Sequence, residues 1–521
     1  MVRSFWRWAG SLALFLCGGL LHGGQEKLVM ICEATFPPYE YHVRGGIDGI
    51  DPAVIGIVAG CLGRELEVQD MAFDAVIPAV STGKADVAAS GITVTAERQR
   101  QVLFSEVYVE AAQVVVVRAE SDLWAPEGLR GRRVAVQSGS TGDLFVTRTY
   151  GEPERFQNVA FAITAVASGK ADAAVVDREP AQVFVSGRPG LRILAEPAVR
   201  EAYAFAFARG NGRLCAQVNA VLGAMRRLGV LEQLVARYFA AGRQASESGT
   251  AVGEKLDISD LSAKVLGDEA LRAELAEIAA LEDAAFAAGE VGSWWRRMGE
   301  AFRLNFVEGA RWRYLLQGFW VTVKISFLAV LIGLGLGFLV AVIRATHQLE
   351  GGLWVANGIC KIYLTVIRGT PAVVQLLIIY FVIFGSVNVS KVLVAVVAFG
   401  INSGAYVSEI IRAGILSIDR GQMEAGRSLG LGYLRTMRVI ILPQAFRNVL
   451  PALGNEFIVL LKETSVAGYI ALMDLTKAGD IIRSQTYTAF LPLLAVAGVY
   501  LVVVSVLSAL LNGLEWRLKN G

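Results

Sequence analysis

The sequence lacks a phosphate-binding loop, and this absence excludes one way of powering chemistry within the chain. Such a loop requires the pattern G-x-x-x-x-G-K-[ST]. Both Gly-Lys pairs, at 83–84 and 169–170, are followed by alanine instead. Any ATP hydrolysis on which the protein depends must therefore come from a separate subunit.

The sequence also has little excess charge of either sign. Its 521 residues carry 49 Lys and Arg against 47 Asp and Glu, a formal net charge of +2. This balance gives no electrostatic reason to expect a nucleic-acid partner. By contrast, 54% of the residues are hydrophobic and the mean hydropathy is +0.49, above a soluble average. Residues 25–300 read as a soluble protein, and 312–510 carry most of the long apolar runs, which predicts two or three domains.

Cysteine is too scarce to form a disulfide framework, since the chain has five. Cys32 and Cys61 could pair in an oxidising compartment, or all five could be unpaired core residues. We expect no metal site, no cofactor and no catalytic residues, and therefore not an enzyme.

The N-terminus predicts export. Arg3 and Arg7 precede an apolar run from Ala9 to Leu21, which is short for a spanning helix. Gly23 and Gly24 offer small residues for cleavage, although the A-x-A pattern is poor. Residues 1–24 are therefore a signal peptide or an uncleaved anchor.

The exported part alternates strand-like and helix-like segments, which is typical of sheets covered by helices. Lys27–Cys32 and Val134–Gln137 are predicted strands, and Pro52–Leu66 is a predicted helix. Val80–Ala89 and Val166–Val175 echo each other: each reads as a helix end, a Gly-Lys-Ala-Asp turn and a short strand. Chance similarity would explain this echo, but two similar lobes with a cleft between them explain it better.

The segments that follow the two echoed strands carry the candidate binding residues, because ligands of α/β sheets sit beyond the strands' carboxyl ends. Arg98 can grip a carboxylate with two parallel hydrogen bonds, which lysine cannot do. Thr93 and backbone N–H groups can complete the anion's shell, and Asp177 can take an ammonium group. Together they suit an α-amino acid. Taken singly, Arg98 could be a surface charge and Asp177 a helix N-cap.

Residues 26–240 resemble the polar amino-acid solute-binding proteins of ATP-binding-cassette (ABC) importers. The matching stretches are Glu33–Tyr39, Phe73–Pro78, Ser90–Arg98, Gln137–Gly142 and Asp177. The resemblance implies the following roles: Phe36 and Phe73 flank the substrate side chain; Ser90, Gly91, Thr93, Arg98 and Thr141 hold its carboxylate; Asp177 binds its ammonium; and Glu33 reads the side-chain tip. A carboxylate at that tip, beside aromatic rings, weakly favours an arginine-, lysine- or glutamine-like ligand.

Residues 246–305 break both patterns and are interpreted as a linker with a helix. Ser262–Phe286 is rich in Ala and Glu, with apolar residues at helical spacing. It is predicted to be a solvated spacer helix, or alternatively a helix that docks the exported domain on the membrane part or on its twin.

The C-terminal part, 306–521, predicts an all-α membrane domain of about five spans, each needing about 20 mostly apolar residues. The predicted spans are Leu315–Ile343, Pro371–Val387, Val392–Arg412, Leu450–Tyr469 and Phe490–Leu511. An odd number of spans places the C-terminus in the cytoplasm when the N-terminal domain is outside, and the distribution of basic residues agrees.

Between Glu424 and Pro443 the chain reads EAGRSLGLGYLRTMRVIILP. This stretch resembles the EAA loop, by which membrane subunits of bacterial ABC importers dock on their ATPases. The resemblance implies ATPase docking by Glu424, Ala425, Gly426, Arg427 and Gly430. The small residues would permit close approach, and Gly426 departs from the family's usual alanine. An ordinary basic loop lying on anionic lipid is the alternative.

Three further stretches match the polar amino-acid permease branch: Arg368–Pro371, Ser403–Tyr406 and Lys462–Ser465. Charges within a membrane are costly and usually line a pathway. Glu463, with Lys462 as its partner, is therefore our candidate for a substrate path, and a buried structural ion pair is the alternative.

The resemblances together predict a fused binding protein and permease of a polar amino-acid importer in the bacterial inner membrane. Its exported domain, 25–245, would lie in the periplasm, the chain would pair as a homodimer, and a separate ABC ATPase would supply energy. An amino-acid-gated ion channel and a transmembrane amino-acid sensor are the alternatives. A channel needs no ATPase-docking loop.

Overall fold

The computed structural model of the protein describes residues 27–186, 188–248, 255–281, 294–385, 387 and 389–520. The predicted signal or anchor, 1–24, lies outside the described residues. Within them, an N-terminal α/β part is followed by a helical part, so the predicted fold class is confirmed.

The strands of the N-terminal part form two main sheets and one small one. In chain order they are β1 (Lys27–Cys32), β2 (Thr35–Phe36), β3 (Glu40–Val43), β4 (Gly46–Asp48), β5 (Glu65–Asp70), β6 (Val87–Ala88), β7 (Val102–Phe104), β8 (Val109–Arg118), β9 (Val134–Gln137), β10 (Glu154–Phe156), β11 (Ala173–Asp177), β12 (Leu191–Ile193), β13 (Val199–Tyr203) and β14 (Ala206–Ala208). The first lobe has the order β5-β1-β6-β14-β7, and the second has β10-β9-β11-β8-β12 with β13 also on β8. The small antiparallel sheet is β2-β3-β4.

The helices around these sheets are α1 (Ile50–Cys61), α2 (Phe73–Ser81), α3 (Ala96–Gln99), α4 (Thr141–Thr149), α5 (Val159–Ala167), α6 (Arg178–Val185), α7 (Gly212–Arg227) and α8 (Val230–Ser248). The strands predicted at Lys27–Cys32 and Val134–Gln137 have those bounds. The predicted helix Pro52–Leu66 instead ends at Cys61, because Gly63 turns the chain with φ +67° and Leu66 enters β5.

The echo is real, and each copy ends its helix in the same way. Gly83 and Gly169 both adopt the left-handed region, at φ +76° and +71°, which glycine enters without strain. The aspartates that follow hold the neighbouring strand: the Asp86 carboxylate accepts from the Val29 N–H, and the Asp172 carboxylate accepts from the Arg133 N–H. The two lobes are therefore built on the same helix–turn–strand unit.

The linker helices α9 (Ser259–Leu266) and α10 (Glu269–Ala280) do not form the predicted solvated spacer. Leu261, Val265 and Leu271 are buried in the same core as the first lobe's helices. The apolar residues at helical spacing give the physical reason, since they form a stripe that packs on α7 and α8.

The helical part contains α11 (Trp294–Phe302), α12 (Trp312–Glu350), α13 (Trp354–Gly369), α14 (Ala372–Ile378), α15 (Lys391–Leu416), α16 (Arg420–Ser428), α17 (Tyr433–Thr436), α18 (Leu442–Glu463), α19 (Leu475–Thr486) and α20 (Phe490–Asn520). In the described part of the chain, α12, α15 and α20 are long and apolar enough to cross a membrane. The pair α13 and Ala372–Ile383, bent by 107°, would make a fourth.

Among the described residues the count of candidate spans is thus three or four by length and composition, rather than about five. The predicted span Leu450–Tyr469 falls on α18 and the 3₁₀ segment Thr464–Ile470, and it is not among them. Its charges at Glu456, Lys462 and Glu463 lower its hydropathy. Cys32 and Cys61 are unpaired, so of the two alternatives for these cysteines the structure has the free thiols.

Candidate functional site

The guanidinium of Arg98 lies in the cleft between the lobes, and the residue is only 1% exposed. The short helix α3 positions it, and the Thr95 side chain caps that helix by accepting from the Arg98 N–H. The terminal nitrogens donate to the carbonyl oxygens of Thr93 at 2.8 Å and of Gly139 at 3.1 Å, one from each lobe. No ion pair to Arg98 forms within the described residues, so this buried cation lacks an anion.

Two aromatic rings flank this guanidinium. The Phe73 ring centroid lies 5.6 Å from its central carbon, and the Tyr487 ring centroid lies 5.4 Å away. The Arg98 Nε–H also donates to the Tyr487 hydroxyl at 3.3 Å. Phe73 was predicted at the site. Tyr487 was not, because it belongs to the helical part, 389 residues further along the chain.

The opposite end of the cleft is acidic. Asp177 ends β11 and is buried, and it accepts hydrogen bonds from the Gln113 amide at 2.8 Å and from the Tyr203 hydroxyl. The Gln113 amide also reaches the hydroxyl of Thr141 at 3.2 Å and the carboxylate of Glu201 at 3.3 Å. Burial, and then the Glu201 carboxylate, raise the pKa of Asp177 to about 7. Asp177 has no side-chain cap bond to α6, although it stands at that helix's N-cap position.

Thr93 connects the two ends, since its hydroxyl donates to Glu201 at 2.8 Å. The Phe36 ring lies close to Gly91 in the same region. A Cβ added at Gly91 would lie 2.7 Å from the Phe36 ring and 3.2 Å from the Tyr203 ring. Because Gly91 also has φ +51°, glycine is required there on two grounds.

Glu33 directly follows β1 and is buried in the same region. Its carboxylate accepts from Thr35 and, at 3.3 Å, from the amide of Gln137 in the other lobe. Burial raises the pKa of Glu33 to about 8, and the hydrogen bonds from Thr35 and Gln137 oppose that rise.

The donors of Ser90 and Gly91 are engaged within the first lobe in this arrangement. The Ser90 hydroxyl donates to Glu40 at 2.7 Å, and the Gly91 N–H donates to Asp51 at 3.0 Å. Arg98 is consequently the strongest anion-binding group of the site.

The structure thus brings all nine predicted residues into one connected region. Sequence reasoning assigned no role in the site to Gln113, Glu201, Gln137 or Tyr487. Gln113 and Gln137 could have been found as polar residues within apolar strands, but nothing local singles out Tyr487. The arrangement can hold a zwitterion, with a carboxylate at the guanidinium and an ammonium group at the carboxylates.

The cleft faces the helical part, and α19 lies against α2. Asp74 on α2 forms an ion pair with Arg483 on α19 at 2.9 Å, and Glu154 forms one with Lys391 at 2.9 Å. The Lys170 ammonium donates to the Phe384 carbonyl at 2.9 Å. A cavity of about 160 Å³ lies between the two parts, lined from both sides.

Lys462 and Glu463, the predicted residues of a substrate path through the membrane, are the last two residues of α18. Lys462 is exposed and Glu463 half-buried, and no ion pair joins them among the described residues. They lie on consecutive positions of a helix and so project in different directions, which keeps their charged groups too far apart for an ion pair. Glu456, one to two turns earlier, is buried and accepts from Ser403 at 3.2 Å.

The EAA-like segment forms helix α16, which the Asp419 carboxylate caps. It ends at Ser428, and Gly430 turns the chain at φ +82°. Glu424 and Ala425 are exposed, whereas Gly426 is buried. A Cβ at Gly426 would lie 2.5 Å from the Thr436 Cγ2.

Gly426 therefore faces its own chain, and the expectation that it permits a partner's close approach is corrected. Arg427, also predicted to dock the ATPase, forms an ion pair with Glu350 of its own chain at 2.7 Å. Two apolar residues of the same segment, Leu429 and Leu434, are each 80% exposed.

Comparison with known proteins gives two family matches. The family of bacterial extracellular solute-binding proteins, family 3, matches residues 28–241. The family described as binding-protein-dependent transport system inner membrane component matches residues 333–520.

Individual relatives are matched over 93% of their own length. The glutamine transport system permease protein of Escherichia coli K12 is 41% identical over 208 residues, 39% of this chain. The arginine transport system permease protein of Bacillus subtilis 168 is 38% identical over 209 residues, 40% of this chain. A crystal structure of ArgBP from T. maritima is 37% identical, covers 41% of this chain and 95% of that one, and has a TM-score of 0.40.

Proposed function

Because this chain belongs to the inner membrane components of binding-protein-dependent amino-acid transport systems, and carries a family 3 solute-binding domain ahead of its permease domain, we propose that it imports polar amino acids. The exported domain captures the amino acid. The permease domain receives it, and a separate ABC ATPase drives its passage into the cell.

The observation that carries this proposal is the pair of opposite charges in the cleft. Arg98 is buried and without an anion, and at the other end Asp177 and Glu201 are carboxylates without a cation within the described residues. Leaving such charges unpaired is costly, so each end favours a ligand group of the opposite sign. An α-amino acid supplies both groups on one carbon atom.

Glu33 and Gln137 support the choice among side chains. They offer a carboxylate and an amide where the side-chain tip would lie, which suits the guanidinium of arginine or the amide of glutamine. The relatives are named for glutamine and for arginine transport, in agreement with this chemistry. We propose that both amino acids bind.

The ATPase docks on α16 in this proposal. Glu424 and Ala425 form its exposed face, the exposed Leu429 and Leu434 follow in the same segment, and Arg427 orients the helix through Glu350. One permease domain cannot enclose a path by itself, so two copies of the chain act together. The N-terminal domain lies outside the membrane and the C-terminus in the cytoplasm.

The test is equilibrium binding of radiolabelled L-arginine and L-glutamine to the full-length chain in lipid nanodiscs. Arg98→Lys keeps the charge but loses one of two parallel hydrogen bonds, so affinity should fall about 10- to 100-fold. Arg100→Lys, at an exposed neighbouring position, is the matched control. Equal affinity for the two variants would refute the carboxylate site.

Uptake measurements test the proposal that the chain transports the amino acid with energy from a separate ATPase. Membrane vesicles that contain the chain and a co-produced ABC ATPase should accumulate the amino acid only when ATP is present. Accumulation without an ATPase would contradict the importer and favour a channel.

A further inference from the structure

A permease residue occupies the predicted carboxylate anchor of the binding domain. Tyr487 lies between α19 and α20, yet it is only 4% exposed and packs in a core cluster of the first lobe with Val76 and Ile77. Its hydroxyl accepts from the Arg98 Nε–H, and its ring flanks the guanidinium. The side chain therefore crosses from the helical part into the cleft.

Tyr487 is also held in a conformation that tyrosine rarely adopts. Its φ is +54° and its ψ +27°, in the left-handed region where a bulky side chain is strained. The surrounding contacts fix it: the Tyr487 N–H donates to Arg483, which is ion-paired with Asp74 on the binding domain. On either side of it, Thr486 and Thr488 donate to Asn305 at 2.8 and 2.7 Å. Such strain persists only where the surroundings impose it.

The tyrosine and a substrate carboxylate require the same donor. A carboxylate gripped from the side by arginine uses the Nε–H together with one terminal N–H. In this structure the Nε–H of Arg98 is taken by Tyr487, while the terminal nitrogens hold the Thr93 and Gly139 carbonyls. The hydroxyl and the carboxylate thus exclude each other at this edge.

We propose that Tyr487 is a substrate-displacing residue: when the binding domain docks, its hydroxyl takes the Arg98 Nε–H from the amino acid and so drives release toward the permease. The inference rests on the proposed role of Arg98. In this proposal the permease loop itself lowers the affinity of the binding site. The ion pairs that dock the two domains would not lower it by themselves.

The test measures the affinity of the full-length chain in nanodiscs for radiolabelled L-glutamine and L-arginine. Tyr487→Phe removes only the hydroxyl, and Tyr487→Gly removes the ring while suiting the left-handed backbone. Both should bind more tightly than the unchanged chain, by about five- to thirtyfold, the effect of losing one competing hydrogen bond. Ala471→Gly is the control for backbone freedom, since Ala471 has the same φ of +54° and should leave affinity unchanged.

Arg98→Lys, measured in the same series, separates the two proposals. If Arg98→Lys weakens binding but both Tyr487 variants bind as the unchanged chain does, displacement by Tyr487 is overturned and the binding site stands. If Arg98→Lys has no effect, the carboxylate site itself is overturned. Tyr487→Phe keeps the ring in its cluster, so the result does not depend on whether the glycine variant folds.

Discussion

Replacing Gly426 by alanine, the usual residue of the EAA family, should destabilise helix α16 in this chain. The added Cβ would stand 2.5 Å from the Thr436 Cγ2, 3.0 Å from its Oγ1 and 3.1 Å from the Ile440 Cδ1. Thr436 is fully buried and cannot move away freely. Overpacking of this kind costs about 1–3 kcal/mol. Alanine's better helix propensity offsets about 1 kcal/mol, which leaves a net loss of about 0–2 kcal/mol.

Thr436→Ser tests the cause, because it deletes the nearest atom and keeps the hydroxyl. The double variant Gly426→Ala with Thr436→Ser should recover most of the loss, giving a coupling of about 1–2 kcal/mol in a double-mutant cycle. The readout is hydrogen exchange of residues 420–428 in the full-length chain, which reports local opening.

Gly358→Ala provides the matched comparison. Gly358 also lies within a helix, but nothing stands within 4 Å of an added Cβ, so the substitution should not destabilise its helix. The packing argument would be refuted if Gly426→Ala behaved like Gly358→Ala. Additive effects of Gly426→Ala and Thr436→Ser, within about 0.5 kcal/mol, would refute it equally.

Two further outcomes follow from the cleft. Affinity for the amino acid should fall as the pH drops below about 7, because Asp177, with its raised pKa, takes up a proton there and loses the charge that attracts the ammonium group. The variant Asp177→Asn should bind weakly at every pH. If its affinity still depended on pH as that of the unchanged chain does, the assignment of Asp177 would be contradicted. Gly91→Ala should lower the thermal unfolding temperature more than Gly83→Ala, since both have positive φ but only Gly91 meets the Phe36 ring at 2.7 Å; equal losses would show that backbone strain alone decides.

The sequence predicted what depends on local patterns. The strands Lys27–Cys32 and Val134–Gln137 and the two Gly-Lys-Ala-Asp turns follow from short-range periodicity and from glycine's backbone freedom. Arg98 and Asp177 were found because both follow strands of the echoed unit. The roles of these two residues stay predictions until binding is measured.

What the sequence did not predict depends on contacts between distant segments. The inward direction of Gly426 is set by Thr436, which only the fold places beneath it. Val265 and Leu271 were interpreted as part of a solvated helix because their partners on the first lobe are far away in the chain. Tyr487 carries no local signal, since its significance arises only where the permease loop enters the cleft.

Covalent linkage changes what the docking contacts must accomplish. A short tether holds a domain at an effective concentration of about millimolar, so an interface of about 5–6 kcal/mol keeps it docked most of the time, as a roughly five- to thirtyfold effect of Tyr487 requires. The ion pairs Asp74–Arg483 and Glu154–Lys391 need not give more than that. A stronger interface would hinder the cycle, because in the docked state Tyr487 fills the Arg98 edge and the next amino acid cannot be gripped there. Because Tyr487 occupies Arg98 in the docked state, the domain must leave the permease before it can bind the next amino acid, and this requires that docking be weak.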